Sequence, residues 1–336
     1  MENIRFLHCA DLHVGASRRD IPDYLERQLR MLRQLYSAAK KKKCDFIILG
    51  GDIYNDKGIP YAEKEAVLKI LVENRDILTI IISGQHDLIS HDYSHLSIID
   101  TMGKAGVLNV QVANMVPQLL HYKDWRIIAI PYDKNITTGK AQTLVADYLE
   151  KVPDKNKVIG TFHGMVNGSR NDLGYSFPGG IVLPIDEIRY WALGDIHKAQ
   201  KINKISYYSG SPIQHNFGEV EQKRGALLVD ITPDNLKITK INLHGFTPLV
   251  VVNLSEGEAI PENCYVSVAS EDKDLYIDLP ANVVKKKTIH KQIAYTYNRD
   301  TIEESDILQI ELEKLQYTPE VIQDAVDGFK KYMKTL

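Results

Sequence analysis

Short apolar runs alternate with amphipathic segments along the first part of the chain. The runs at 5–10, 45–49 and 78–82 are nearly continuous in hydrophobic residues, which is typical of strands buried on both faces of a parallel sheet. Between them, apolar side chains recur at three- and four-residue steps over 24–39 and 62–71, which predicts two helices, each with one buried face. This alternation predicts right-handed crossovers and a largely parallel sheet.

Later runs extend the sheet structure with fewer helices between them. One further helical pattern covers about 143–149, and the predicted strands are 126–130, 158–162, 190–193, 205–208 and 226–231. We therefore expect a second, more mixed sheet packed against the first, with residues 1–243 forming one α/β sandwich.

The pattern changes after residue 243. Segments 248–254, 264–269 and 288–297 resemble strands, which predicts a small α/β domain over residues 244–299. Residues 300–336 show helical spacing on both sides of Thr318-Pro319, a pair suited to capping and starting a helix. Two short C-terminal helices are predicted, and they either pack on their own domain or offer an apolar face to a partner.

Composition adds a few limits. The 336 residues carry a formal net charge of -3, so any nucleic-acid binding must depend on local basic patches or on bound metal. The three cysteines have no metal-cluster spacing, and no apolar run is long enough to span a membrane. With no apolar signal segment after Met1, these features predict a cytoplasmic protein that does not enter a membrane.

Five polar signatures follow predicted strands, where open α/β sheets place their sites. In chain order they are Asp11-Leu12-His13, Gly51-Asp52, Gly84-Gln85-His86-Asp87, His163-Gly164 and Gly194-Asp195-Ile196-His197. Carboxylates, imidazoles and an amide are suitable ligands for a pair of divalent ions. The series therefore predicts a dinuclear metal-dependent hydrolase.

Spacing suggests how the ligands are arranged. Asp11 and His13 are two residues apart, so in an extended backbone both side chains would point to the same side, and Asp195 and His197 repeat this spacing. Gly50-Gly51 would allow a sharp turn that presents Asp52 as the bridge between two ions.

Each signature taken singly has an ordinary structural explanation. A lone aspartate after a strand is often a cap or turn residue, and a lone histidine is often a satisfied core or surface group. The order of the five and their common placement at strand ends favour the metal site.

The series resembles the calcineurin-like metallophosphoesterases, whose pattern is DxH, GD, GNH(D/E), H and GHxH. It is similar, more narrowly, to the SbcD nuclease subunits, on the evidence of the segments 7–13, 50–54, 190–197, 208–213 and 217–219. The resemblance covers residues 1 to about 231 and implies a metallophosphoesterase-type β-sandwich flanked by helices, with a small capping domain and C-terminal helices. The chain is compact for the family, which would suit a phage-encoded version.

The resemblance also implies roles, carried over by matching position. The first metal would be held by Asp11, His13, Asp52 and His197, and the second by Asp52, Gln85, His163 and Asp195. His86 would be the catalytic histidine that orients the scissile phosphate or assists the leaving oxygen. No second catalytic histidine is expected, because Asn55 stands where some relatives carry one.

The family resemblance also implies an activity and partners. Family members use manganese and cut DNA as 3′→5′ exonucleases and as endonucleases on single strands and hairpins. They act in recombination, repair or replication with an SbcC-like coiled-coil ATPase, which makes 300–336 the candidate docking segment, and they form homodimers. Arg18 and Arg19, just after the first motif, are candidate DNA contacts.

Two departures from the family pattern fall on the same ion. Gln85 stands where the family has Asn, and Asp195 stands where it usually has His. A harder oxygen set favours manganese or magnesium over zinc. The second site would be weaker or shifted but still occupied, and a lost second site is the alternative.

Two other functions stay open at this point. One is a phosphoesterase of the same fold acting on nucleotides or phosphoproteins. The other is a non-catalytic scaffold that uses its C-terminal helices to bind partners, an idea supported by the altered second site alone.

Overall fold

The computed structural model describes residues 3–15, 21–171, 174–176, 179–220 and 224–288, together with 322, 323 and 327. The chain divides into two compact units, Met1–Thr288 and Ile289–Leu336. The elements below belong to the first unit. The predicted strand 288–297 and the predicted helices of 300–336 lie almost wholly outside the described residues, and the domain boundary after residue 243 stays a prediction.

Among the described residues the helices are α1 (Tyr24–Lys41), α2 (Tyr61–Glu73), α3 (Ser97–Lys104) and α4 (Thr138–Leu149). The strands of the two large sheets are β1 (Ile4–Cys9), β2 (Phe46–Leu49), β3 (Leu78–Ile82), β4 (Val110–Ala113), β5 (Gln118–Tyr122), β6 (Trp125–Ile130), β7 (Val158–His163), β8 (Tyr190–Gly194), β9 (Gln200–Lys201), β10 (Ser206–Tyr208), β11 (Ala226–Ile231) and β12 (Leu236–Ile241). A small sheet contains β13 (Leu249–Asn253), β14 (Tyr265–Ser270) and β15 (Val283–Thr288). No helix of this part of the chain is both long and apolar enough to cross a bilayer.

Two six-stranded sheets form the sandwich. The first has the order β12-β11-β1-β2-β3-β4, with β1 to β4 parallel and the β11–β12 edge antiparallel. The second has the order β5-β6-β7-β8-β10-β9, with a parallel centre and antiparallel strands at both edges. The predicted α/β sandwich of two sheets is therefore confirmed.

Alternation of side chains along each strand produces the layers. In β1, Phe6 belongs to the apolar layer between the two sheets, whereas Leu7 and Cys9 face the layer that α1 and α2 cover. In β8, Tyr190 joins the layer between the sheets and Trp191 joins the layer beneath α4. Strands covered on both faces explain why the runs look uniformly hydrophobic in the sequence.

The sequence pattern missed several short elements. These are α3, β4, β5, β9, β12 and β15. Four of them, β4, β5, β9 and β12, lie at or next to sheet edges, where half-exposed positions weaken the apolar signal. β15 carries Lys285, Lys286 and Lys287 in sequence, a composition that does not indicate a strand.

The small sheet is joined to the sandwich by polar contacts and a small apolar cluster. Arg27 of α1 donates to the Thr247 carbonyl at 2.6 Å, and the backbone N–H of Leu249 donates to Gln214 Oε1 at 3.1 Å. Leu249 also packs with the buried side chains of Ile21 and Tyr24. The three parallel strands of this sheet follow a layout different from the antiparallel edges of the sandwich.

Close packing in the second sheet gives a stability prediction. A Cβ added at Gly160 in β7 would overlap the indole ring of Trp191, which is fully buried. We expect Gly160→Ala to lower the free energy of unfolding by about 1–3 kcal/mol, the usual cost of overpacking a core. Urea unfolding followed by tryptophan fluorescence measures it.

Gly139 is the matched control, because it lies in α4 and a Cβ there meets nothing within 4 Å. Gly139→Ala should leave the free energy of unfolding unchanged or raise it by up to about 1 kcal/mol, since alanine favours the helix. Equal losses in the two variants would contradict the packing argument.

Candidate metal centre

The five signatures meet at one edge of the sandwich. They follow β1, β2 and β3 of the first sheet and β7 and β8 of the second, in each case at the carboxyl end of the strand. Backbone hydrogen bonds join the loops, including Asp11 N–H to the Gly51 carbonyl and His13 N–H to the Asp52 carbonyl, both at 3.0 Å. Residues far apart in sequence thus form one polar cluster with a fixed backbone.

The spacing argument for Asp11 and His13 was wrong in its geometry. Neither residue is extended: φ is 57° at Asp11 and 47° at His13, in the left-handed region. Asp52 and Asp195 also have positive φ, of 50° and 102°. A left-handed backbone is unfavourable for residues other than glycine, so the surrounding hydrogen bonds must stabilise this conformation. The strain lies in the residues that carry the polar groups.

The first predicted ligand set is brought together. Ligand atoms of Asp11, His13 and His197 all lie within 4.8 Å of one another. The Nε2 atoms of His13 and His197 are 3.0 Å apart, and Asp52 Oδ2 lies 3.8 Å from His13 Nε2. This spacing lets four groups from three loops face one small volume.

The second predicted set is also brought together. His163 Nε2 lies 3.5 Å from Asp52 Oδ2 and 2.7 Å from Gln85 Oε1. The Gln85 amide donates to Asp195 Oδ1 at 2.8 Å. The two residues that depart from the family pattern therefore contact each other, and the longer glutamine spans the gap between Asp195 and His163.

His86 lies beside the cluster and is exposed. Its backbone N–H donates to Asp52 Oδ1 at 2.8 Å, and its ring Nδ1 donates to the Asn55 carbonyl at 2.6 Å. The His86 and His13 ring centroids are 4.9 Å apart. With Nδ1 donating to a carbonyl, Nε2 is the ring nitrogen left for a ligand, and a ring nitrogen of His86 lies within 4.8 Å of ligand atoms of His13 and Asp52.

Two glycines are required here for different reasons. Gly51 has φ of 99°, which supports the sharp turn predicted before Asp52. Gly84, by contrast, has no left-handed backbone. A Cβ at Gly84 would instead overlap Asp52 Oδ1 and His163 Nε2, so glycine is needed for close approach.

Burial and charge shift the acid–base behaviour of the cluster. Burial raises the pKa of Asp11 to about 7 and lowers the pKa of His13 well below its usual range. Burial would also raise the pKa of Asp52, but the neighbouring His163 outweighs it and holds that pKa below its usual range. Burial opposes the charged form of His163 as well, yet the Asp52 carboxylate raises the His163 pKa to about 10. Asp52 and His163 thus form a buried ion pair in the protein alone.

The residues present fit divalent cations. Asp11 Oδ2 is buried and has no hydrogen-bond partner among the described residues. A buried carboxylate oxygen without a partner is costly, and a cation is the group that would satisfy it. Carboxylate oxygens, imidazole nitrogens and one amide oxygen suit manganese or magnesium at the oxygen-rich second position.

Three residues that support the site were not identified from the sequence. Glu219 is buried and accepts from His197 Nδ1 at 2.8 Å and from the His215 backbone N–H at 2.7 Å, and it pairs with Arg224 at 3.0 Å. Burial would raise the Glu219 pKa, but the hydrogen bond from His197 lowers it to about 2. A carboxylate on Nδ1 leaves His197 Nε2 with its lone pair toward the cluster.

His215 and Asp87 brace the loops from behind. His215 Nε2 donates to the Asp11 carbonyl and Nδ1 accepts from the Tyr24 hydroxyl, both at 2.8 Å. Asp87 accepts from the N–H groups of Tyr54 and Gly84, both at 2.9 Å. Asp87 ends the third signature and Glu219 ends the segment 217–219, so both were visible as motif residues, whereas nothing in the sequence singled out His215.

Two further groups of polar residues do not belong to the ligand sets described above. Arg18 and Arg19 fall outside the described residues, so their predicted DNA contact stays a prediction. His91 and Asp92 form an exposed pair in a loop, and His95 donates from its ring to the Asp56 carbonyl at 2.8 Å. These contacts are those of a polar loop.

Comparison with known proteins identifies the family. The model for calcineurin-like phosphoesterases matches residues 4–199, more than half of the chain. The chain belongs to the calcineurin-like phosphoesterase family. The prediction of a metal-dependent hydrolase of phosphate esters is thereby confirmed.

Similar proteins include nuclease components. The SbcD component of the SbcCD nuclease of Staphylococcus saprophyticus subsp. saprophyticus is 27% identical over 295 residues, covering 78% of this chain and 75% of that protein. "DNA double-strand break repair protein Mre11" of Archaeoglobus fulgidus is 24% identical, covering 65% of this chain and 50% of that protein. A solved structure, TT1561 of Thermus thermophilus, has a TM-score of 0.45 at 14% identity and covers 71% of this chain and 99% of its own.

The contact of Glu219 with His197 gives a prediction for metal affinity. Glu219→Gln removes the charge that orients His197, so we expect Mn²⁺ affinity to fall by about 10- to 100-fold, the usual effect of losing such a partner. Isothermal titration with Mn²⁺ measures it.

Glu150→Gln provides the matched control, because Glu150 is exposed after the end of α4. That variant should bind Mn²⁺ as the unsubstituted protein does. Unchanged affinity in Glu219→Gln, with the fold intact by circular dichroism, would show that His197 needs no such support.

Proposed function

We propose that this protein is a manganese-dependent DNA nuclease of the SbcD type, acting as a 3′→5′ exonuclease and as an endonuclease on single strands and hairpins. The observation that carries the proposal is the single cluster formed by seven residues of five loops with His86 at its side. These seven are Asp11, His13, Asp52, Gln85, His163, Asp195 and His197.

Each residue has a proposed task. Asp11, His13 and His197 would hold one cation, Gln85, His163 and Asp195 would hold the other, and the Asp52 carboxylate would be available to both. When bound, a pair of divalent cations activates water and neutralises charge on the phosphate oxygens. In its imidazolium form His86 would donate from Nε2 to a non-bridging oxygen of the phosphate, since the Asn55 carbonyl already accepts from Nδ1.

DNA as the substrate is supported by the relatives and by local charge. The names of the similar proteins describe nucleases and a double-strand break repair protein. The net charge of -3 provides no general attraction for a polyanion, so phosphate contacts must be local. Lys285 and Lys287 point to the same face of strand β15 and are candidates for these contacts, and Arg18 and Arg19 stay candidates from the sequence.

Manganese is the proposed metal, with magnesium as the other candidate. Asp195 offers oxygen where the family usually has an imidazole nitrogen, and Gln85 keeps the amide oxygen of the family's asparagine; hard oxygen ligands favour these ions over zinc. The hydrogen bond between Gln85 and Asp195 supports this assignment, because it brings the two side chains together beside His163.

The proposal includes a partner and a setting. We infer a cytoplasmic homodimer that works with an SbcC-like coiled-coil ATPase in DNA recombination, repair or replication. The candidate docking segment 300–336 lies outside the described residues, so the support for it is the sequence pattern and the similarity to the SbcD component of the SbcCD nuclease.

A direct nuclease assay tests the proposal. Purified protein with Mn²⁺ should degrade 3′-labelled duplex DNA and cut circular single-stranded DNA. We expect His86→Ala to lower the rate by about 100-fold or more, because it removes a group that stabilises charge in the transition state.

His91→Ala is the matched control, since the His91 side chain is 89% exposed in a neighbouring loop. It should cleave DNA at the rate of the unsubstituted protein. Hydrolysis of nucleotides or phosphoproteins without DNA cleavage would favour the related phosphoesterase instead. Tight Mn²⁺ binding with no hydrolysis of any ester would favour the scaffold.

Truncation tests the partner. Removing residues 300–336 should abolish co-purification with an SbcC-type ATPase, because the proposed docking helices are deleted. Mn²⁺ affinity should not change, since every proposed ligand precedes residue 198. Retained co-purification by the truncated chain would refute the docking role.

A further inference from the structure

A cavity adjoins the second predicted metal position. Its volume is about 400 Å³, and His163 and Asp195 form part of its wall. The other lining residues come from the loop after β6, from the end of β7 with the residues that follow it, and from residues 179–181. The cavity therefore opens directly onto two groups proposed to bind the cation beside the scissile phosphate.

The chemistry of the walls differs from that of the metal cluster. Tyr132, Ile136, Phe162, Met165 and Ile181 line the cavity. Phe162 is fully buried, whereas Met165 is 43% exposed. The charged lining residues Asp133 and Lys134 are exposed. Apolar and aromatic walls do not favour a charged phosphate group. They favour a flat heterocycle, whose apolar face can pack against them.

The walls are fixed before any ligand arrives. The N–H of Tyr132 donates to the Ser83 carbonyl at 2.9 Å, which ties the loop after β6 to the end of β3. The N–H of Ile181 donates to the Met165 carbonyl at 2.9 Å, and that of Val166 donates to the Tyr208 hydroxyl at 2.9 Å. A Cβ on Gly180 would overlap the backbone of Val166, so these two segments are in close contact. A preformed pocket loses little entropy when it binds.

The volume of the cavity limits which ligands can occupy it. A volume of about 400 Å³ lies at the small end of the range for ligand pockets, enough for one nucleoside and too small for a stacked base pair with its neighbours. We infer that this cavity is the subsite for one unpaired nucleobase of the nucleotide next to the scissile phosphate, with Tyr132 as the aromatic surface on which the base stacks. The inference rests on the proposed nuclease function and deepens it, because it selects strand ends and single strands over the interior of a duplex.

Equilibrium binding tests the cavity without using hydrolysis. With Mn²⁺ present, isothermal titration should show thymidine 5′- or 3′-monophosphate binding about tenfold more tightly than 2-deoxyribose 5-phosphate, which has no base. The tighter of the two thymidine phosphates assigns the side of the scissile phosphate on which the base lies. Tyr132→Ala should remove the preference for the base, and Tyr132→Phe should keep it, because the ring remains.

Tyr93→Ala is the matched control, since Tyr93 is 55% exposed and does not line the cavity. It should keep the preference. Equal affinity for thymidine monophosphate and deoxyribose phosphate, including no binding of either, would overturn the inference. So would a preference that survives Tyr132→Ala.

A hydrolysis assay separates this inference from the proposed function. Tyr132→Ala should raise the KM for thymidine 5′-(p-nitrophenyl phosphate) and leave hydrolysis of methyl p-nitrophenyl phosphate unchanged. If the unsubstituted protein hydrolyses neither ester, the proposed function fails, while the binding experiment still decides the cavity. If Tyr132→Ala slows both esters equally, the residue acts on the metal centre and the subsite is refuted.

Discussion

The buried carboxylate of Asp52 is the group on which the arrangement of the site depends. It is 1% exposed, and an ionised carboxylate at that depth is stable only with charged and hydrogen-bonding partners. Its partners come from different parts of the sandwich: His163 from the second sheet, and His13 and the His86 N–H from the first. The Gly50 carbonyl accepts from His163 Nδ1 at 2.7 Å, which adds a second hydrogen-bonded connection between the first sheet and the His163 ring. Satisfying one charge therefore holds the carboxyl ends of both sheets together.

A second layer of residues holds these partners in place, and one of them, His215, belongs to none of the motifs. Glu219 orients His197, and His215 connects the loop of Asp11 to Tyr24 at the start of α1. The same helix contacts the small sheet through Arg27. The backbone is left-handed at four of the site residues, and the surrounding contacts stabilise this unfavourable conformation. These residues are Asp11, His13, Asp52 and Asp195. The cost of that strain is offset by the support around the site, which is typical of preorganised centres.

The two departures from the family pattern have a common physical explanation. An aspartate is shorter than the histidine that usually stands at position 195, and a glutamine is longer than the asparagine that usually stands at position 85. The hydrogen bond of 2.8 Å between Gln85 and Asp195 joins the two changes into one compensated pair. Gln85 Oε1 also accepts from His163 Nε2 at 2.7 Å, so the glutamine side chain contacts both His163 and Asp195. The two altered residues and His163 therefore form one connected set of side chains.

The sequence by itself determined the buried strands, the main helices and the identity of the polar groups, because these depend on local patterns. Apolar runs indicate strands covered on both faces, and carboxylates and imidazoles after five of them indicate a metal centre. It did not determine how Asp11 and His13 share a site, since their left-handed backbone is imposed by hydrogen bonds to the loop after β2, forty residues along the chain. Nor could it identify His215 or the role of Glu219, which depend on contacts with ligands from distant loops. Only the tertiary structure placed the Tyr132 cavity beside His163, because its walls come from three separated segments that packing brings together.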